Sequence, residues 1–221
     1  MSNTPNQAND KKASEKKAVG IVLGGINQAG KTTLAKAFCG IEYDKDYEQT
    51  NDEKEYETQL AIGGIPYNFF FVDANGNAFE ETKGTTAATT LFGKGKVHIY
   101  VVNKEDEGSA DCIAGYFKAF GAENIEVFYK LIIVTHKNSQ EADPKIIERI
   151  KSFSEKTPIW EVDLSDPKEV EELKTKLCEF LKRAKGEHPE LFNGCEAKKG
   201  KKDKSNKQAG QSGKKSRCVI C

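Results

Sequence analysis

Short apolar runs alternate with amphipathic stretches along most of this chain. Residues 18–23 are apolar and partly β-branched, as a buried strand should be. Leu34, Ala35 and Phe38 then recur at helical spacing, and Gly40 is placed to end that helix. Residues 56–62 and 65–73 predict two strands, with Gly63-Gly64 between them as a two-residue hairpin turn. The second carries Phe69-Phe70-Phe71-Val72, a run suited to a sheet covered on both faces. Further strands are predicted at 97–103, 131–135 and 159–162. Ser109 is the expected cap of a helix whose Ile113, Tyr116, Phe117 and Phe120 share one face and which Gly121 ends. Asp143-Pro144 and Asp166-Pro167 each pair an N-cap with a first-turn proline. They open helices carrying Ile146, Ile147, Ile150 and Val170, Leu173, Leu177, Leu181, and Glu169 is placed to complete a capping box with Asp166. Strand and helix alternate throughout, which calls for an α/β fold with a mainly parallel sheet and helices on both faces.

Polar segments flank this body. Residues 1–17 lack hydrophobic periodicity and are expected to be a disordered arm. Residues 42–55 are acidic and polar and read as an exposed loop, and 77–96 as a loop with a short helix. The body is expected over 18–185, with a disordered basic tail over 186–221. Hydrophobic residues make up 37% of the 221, enough for one core but not for packed tails as well. Formal net charge is zero, yet residues 196–217 hold many lysines against Glu196 and Asp203 alone, so the body carries an acidic excess. No run approaches the ~18 apolar residues of a membrane span, and the N-terminus has no apolar signal core, which predicts a cytoplasmic protein. The six cysteines match neither a secreted framework nor zinc spacing in the body. Cys39, Cys112 and Cys178 lie in apolar helical patterns and are expected to be buried thiols.

The candidate chemistry begins at Gly25. Gly25, Ile26, Asn27, Gln28, Ala29, Gly30, Lys31 and Thr32 fit the phosphate-binding pattern G-x-x-x-x-G-K-[ST], followed by Thr33. The two glycines let the backbone turn tightly and approach a ligand. Successive N–H groups then form an anion-binding concavity, and a helix N-terminus adds its dipole. Lys31 reaches the terminal phosphates and the Thr32 hydroxyl sits on Mg²⁺. Asp73 ends an apolar strand, with Gly76 three residues on. That pairing places a carboxylate near Mg²⁺ and a backbone N–H near a γ-phosphate.

From about Ala18 to Arg183 these residues resemble a divergent small GTPase of the Ras superfamily. The resemblance implies a P-loop NTPase three-layer fold: a mostly parallel sheet of about six strands with one antiparallel edge hairpin partner. Thr50 lies 19 residues after Lys31, where relatives place the switch threonine that ligates Mg²⁺. Tyr43 falls where an aromatic ring packs against guanine, and Tyr47 where a switch tyrosine covers the phosphates. Departures accompany the likeness. Asn77 stands where relatives have the water-orienting glutamine, and Asn27 where Ras has glycine, so hydrolysis is expected to be slow. The base-reading motif N-K-x-D becomes His136-Lys137-Asn138-Ser139, with His first as in Rag-type GTPases. Ser139 replaces the aspartate, which weakens discrimination between guanine and adenine. Asp163-Leu164-Ser165 aligns with the last base-contacting segment, whose backbone N–H meets the guanine carbonyl, and Asp163 is a candidate substitute carboxylate.

The chain closes on Cys218-Val219-Ile220-Cys221, which matches C-a-a-X with Cys218 as the lipidated residue. Nine basic residues between Lys198 and Arg217 precede it, as in the farnesylated ends of some Ras proteins. Cys195 and Cys221 are candidate acylation sites. A lipid with a polybasic stretch anchors a protein to the cytoplasmic face of a membrane. Without interleaved aromatics the lysines give no reason to expect nucleic acid. The resemblance thus implies a monomeric, membrane-anchored switch that binds GTP and GDP with Mg²⁺ and meets effectors, an exchange factor and a GAP. A non-hydrolysing binding module is the alternative, and a small-molecule kinase ranks behind both.

Overall fold

The computed structural model describes residues 17–42, 52–76, 93–117, 129–136 and 144–197, together with the backbone of 118–122. The elements in chain order are β1 (Val19–Gly24), α1 (Lys31–Phe38), β2 (Lys54–Ile62), β3 (Ile65–Asp73), β4 (Val97–Asn103) and α2 (Glu107–Ala122). They are followed by β5 (Tyr129–His136), α3 (Pro144–Phe153), β6 (Ile159–Asp163), α4 (Pro167–Glu187) and a 3₁₀ turn, Pro189–Phe192. The strands form one sheet in the order β2-β3-β1-β4-β5-β6. Every neighbouring pair is parallel except β2 with β3.

Side-chain alternation along the central strands divides the core in two. Ile21, Leu23, Ile99, Val101, Leu131 and Ile133 join Leu34 and Phe38 of α1 and Leu173, Leu177 and Leu181 of α4 on one face. Val22, Tyr100, Val102, Ile132 and Val134 join Ile113 and Tyr116 of α2 and Ile146 and Ile150 of α3 on the other. Both faces of the middle strands are therefore covered, which is why they read as continuous apolar runs.

Local chemistry sets the turns. Gly63 and Gly64 both have positive φ, 60° and 80°, the requirement of a type I′ hairpin. At the end of α1, Gly40 (φ 65°) donates to Ala37 O, and the Ile41 N–H reaches Lys36 O at 2.9 Å. That pair of bonds is a Schellman cap. Asp166 caps α4 by accepting from the Lys168 N–H at 2.8 Å, with Pro167 in the first turn.

Several expectations are corrected. Ser109 does not cap α2: it lies inside the first turn, fully buried, and its hydroxyl accepts from the Asn103 N–H at 3.0 Å. Gly121 does not end α2, which runs to Ala122. Glu169 forms no capping box with Asp166, because the Asp166 N–H already donates to Asp163 O. Its carboxylate instead accepts from the Asp163 N–H at 2.7 Å. Cys178 is buried as expected, whereas Cys39 and Cys112 are half-buried.

The largest correction concerns residues 186–197, expected in the tail. The proposed boundary at 185 falls within α4, and the chain beyond it packs against β3. Strand β3 begins at Ile65, but its partner on that side, β1, enters only at Val19 opposite Phe69. The overhanging edge is filled by the returning chain. The Asn68 N–H donates to Cys195 O, the Ala197 N–H donates to Pro66 O, both at 2.8 Å, and Glu196 bridges Tyr67 in antiparallel register. Phe192, 3% exposed, inserts edge-on against Tyr67 and Phe69. Cys195 is buried too, and burial raises its thiol pKa. In this fold it is a packed core residue and not an acylation site. The remaining tail, with Cys218 and Cys221, and the arm 1–16 lie outside the described residues.

Candidate functional site

The parallel strands end together, and Gly24, Asp73, Asn103, His136 and Asp163 close β1, β3, β4, β5 and β6 along one edge. Strand β1 sits between β3 and β4, so the chain leaves it to one side first and returns on the other. A crevice outside the carboxyl ends at such a reversal is where open α/β sheets take ligands. The segment 25–30 lies there, between β1 and α1.

That segment is held in a conformation few residues tolerate. Gly25 has φ 151°, and a Cβ on it would come within 2.4 Å of Val101 O. Gly30 has φ 93° and stands at the head of α1, where a Cβ would meet Leu164 Cδ1 at 2.7 Å. Between them Gln28 is left-handed with φ 59° despite its side chain. Lys31 is buried, and its ammonium group donates to Ile26 O at 2.7 Å, folding back over the loop that precedes it. Ala29 is buried as well, while Asn27 and Thr33 are partly exposed.

Below the loop, Thr32 Oγ1 donates to Asp73 Oδ2 at 2.7 Å, across 41 residues of sequence. Asp73 is fully buried. Burial raises its pKa, and the Thr32 bond with the charges of Lys31, Lys54 and Lys36 lowers it in part. Its Oδ1 is also buried and has no hydrogen-bond partner. An unsatisfied carboxylate oxygen beside a threonine hydroxyl and an ammonium group suits a hard cation carried in with phosphate oxygens and water. Among the described residues no cluster of three or more His, Cys, Asp or Glu exists.

Gly76 follows Asp73 and abuts the loop. A Cβ on Gly76 would come within 2.2 Å of Asn27 Oδ1 and 2.4 Å of Asn27 N. The structure thus brings Gly25, Asn27, Gln28, Ala29, Gly30, Lys31, Thr32, Thr33, Asp73 and Gly76 to one edge.

The neighbouring half of the site differs from expectation. His136 ends β5, and its buried Nδ1 has no partner. The Leu164 N–H, expected to meet a base carbonyl, donates to His136 O at 3.1 Å. Asp163, expected as a substitute carboxylate, is buried and accepts from the Ser165 N–H at 2.8 Å and from the Ser165 hydroxyl. It holds the turn between β6 and α4, since a short side chain here bonds most readily two residues on. Tyr43, Tyr47, Thr50, Asn77, Lys137 and Ser139 lie outside the described residues.

Sequence reasoning missed Thr135. It is 5% exposed, and its Oγ1 lies 2.8 Å from Ala29 O and 3.2 Å from Val102 O. The signal was available: a hydroxyl closing the otherwise apolar run Leu131-Ile132-Ile133-Val134 needs a buried partner.

No protein-family model matches this chain, and no curated protein matches it either.

Proposed function

We propose that the chain is a guanine-nucleotide-binding switch of the P-loop NTPase kind, which binds GTP with Mg²⁺ and hydrolyses it slowly. The observation that carries this reading is the Thr32–Asp73 bond beneath a glycine-hinged loop, with one carboxylate oxygen unsatisfied. The amides of residues 25–31 and the ammonium group of Lys31 would take the phosphates. Mg²⁺, when bound, would supply positive charge that offsets the negative charge of the phosphates. Thr32 would ligate it directly, with Thr50 as the second hydroxyl, and Asp73 would hold it through water. Gly76 would sense the γ-phosphate through its N–H, so that the segments around Thr50 and Gly76 order with GTP and release after hydrolysis. The preference for guanine rests on the resemblance at His136-Lys137, and the slow rate on Asn27 and Asn77. Cys218 and the basic residues before it would anchor the protein to the cytoplasmic face of a membrane.

Chromatography of nucleotide released from the purified protein tests the reading. Bound GDP with Mg²⁺-dependent phosphate release supports it. No purine nucleotide, and no heat of binding with Mg·GTP, refutes it. A non-hydrolysing module is favoured by one observation, the close approach of Gly76 to Asn27. The loop's own side chain there crowds the residue that would meet a terminal phosphate. GTP that persists unhydrolysed for days identifies that case.

A further inference from the structure

We propose that Thr135, which lies on β5 outside the loop, is the positioning residue that aims the Gly30 amide at an incoming phosphate. The inference rests on the phosphate-binding reading of residues 25–32 given above.

The argument begins with the peptide between Ala29 and Gly30. A trans peptide is planar, and its C=O and N–H point in opposite directions. The Ala29 carbonyl accepts from the Thr135 hydroxyl at 2.8 Å. The Gly30 N–H is therefore turned away from Thr135 and from the core, to the side on which the loop takes an anion. Left unheld, this peptide has freedom to turn, because Gly30 sits at φ 93° and glycine resists rotation least of all residues. A rotation there would aim a carbonyl oxygen where an N–H is needed, replacing attraction for phosphate with repulsion.

Both groups on the Thr135 Cβ take part. The hydroxyl grips Ala29 O. The methyl carbon, Cγ2, stands 3.4 Å from where a Cβ of Gly30 would lie, so it limits how far that residue can swing inward. Thr135 is itself anchored from two directions. Its Oγ1 is 3.2 Å from Val102 O on β4, and its own carbonyl accepts from the Lys104 N–H at 3.1 Å. The hydroxyl has one proton, and the shorter distance makes Ala29 O its main acceptor. The loop is thus tied to the ends of two strands by a side chain 106 residues away in sequence.

Three full-length variants separate the parts. Thr135→Val keeps the shape and removes the proton, Thr135→Ser keeps the proton and removes the methyl, and Lys31→Ala serves as the loop control. Affinity for Mg·GTP, and for inorganic tripolyphosphate with Mg²⁺, is read by calorimetry, with thermal unfolding alongside. A single buried hydrogen bond contributes on the order of 1 kcal/mol, so Thr135→Val should weaken both ligands about five-fold. Thr135→Ser should stay within about three-fold of the natural protein, a rescue that loss of packing would not give. If the natural protein binds and Thr135→Val binds equally well, or Ser and Val lose affinity alike, the role of Thr135 is overturned. If the natural protein binds neither ligand, the phosphate-binding reading fails and the inference falls with it.

Discussion

The two ends of the parallel strands are built on opposite terms. At the amino end, spare bonding capacity is consumed within the fold. The overhang of β3 is covered by residues 195–197, and the Phe192 ring closes the core beneath. Left-handed backbone at the hairpin and in the returning chain falls on Gly63, Gly64 and Gly194. At the carboxyl end, capacity is left open. Among the described residues, the two buried side-chain polar atoms without a partner are Asp73 Oδ1 and His136 Nδ1, and both belong to residues that end strands there. The one non-glycine residue with positive φ among the described residues, Gln28, is there too. Unsatisfied atoms and strained backbone persist only where the rest of the fold enforces them, and they concentrate at sites that bind something. The contrast separates stability from function: changes at the amino end should alter folding, and changes at the carboxyl end should alter binding.

The largest effect tests the amino end. Phe192→Ala removes a buried ring from between Tyr67 and Phe69 and loosens the chain returning along β3. It should cost about 3–5 kcal/mol of stability. Denaturant titration measures that, and the surviving folded fraction should bind Mg·GTP as before. A ΔΔG below about 1 kcal/mol would mean that residues 188–197 are ornament and not core. Lys31→Ala tests the other end. It should lower Mg·GTP affinity about 100-fold, the loss of a charge-assisted contact to phosphate, while shifting the unfolding midpoint little. If it unfolds the protein without separable loss of binding, the division between the two ends is false.

The same contrast explains what could be read from the chain. The strands, the hairpin and the tight loop before α1 were legible because their signals are local: alternation, two adjacent glycines, and glycines spaced around Lys31. The returning segment was not. His188-Pro189-Glu190 and Asn193-Gly194 read as tail chemistry, and only the offset between β3 and β1 creates the edge that holds them. Registers of that kind arise between distant segments and leave no local trace. Ser109 was expected at the start of a helix that begins earlier, at Glu107, and Glu169 was given the wrong bond because the Asp166 N–H already had an acceptor in Asp163 O. Asp163 was offered to a ligand, but Ser165 lies within its reach two residues on. The glycine-hinged loop and its approach to Asp73 were thus visible in sequence, and the strand-end bond from Thr135 that holds the loop was not.

A smaller effect at the carboxyl end depends on pH. Burial raises the Asp73 pKa above its unfolded value, so the folded protein holds that proton more tightly. A group of this kind favours the fold at low pH, and its contribution is lost as pH rises through the raised value. The ligand-free protein should therefore lose stability as pH climbs above the ordinary carboxylate range, and Mg·GTP should oppose the loss. Asp73→Asn removes the titration while keeping an oxygen for the Thr32 hydroxyl. It should stabilise the ligand-free protein at neutral pH by ~1 kcal/mol and weaken the dependence of nucleotide binding on Mg²⁺. Unfolding curves across pH for the two proteins check both parts, and parallel curves would show that Asp73 is not under strain.

The smallest effect concerns Gln28. A left-handed residue with a Cβ costs roughly 1–2 kcal/mol, and glycine removes that cost while adding about 0.5–1 kcal/mol of chain entropy in the unfolded state. Gln28→Gly should therefore stabilise the ligand-free protein by about 0.5 kcal/mol, small but of definite sign. The same change at Asn68 or Gln59, on extended strands at the amino end, has no strain to relieve and should only destabilise. Opposite signs from one substitution at the two ends would show that backbone strain is confined to the loop. A loss of stability at Gln28 would mean that its side chain contributes more than its conformation costs, and the contrast between the two ends would then rest on the unsatisfied polar atoms alone.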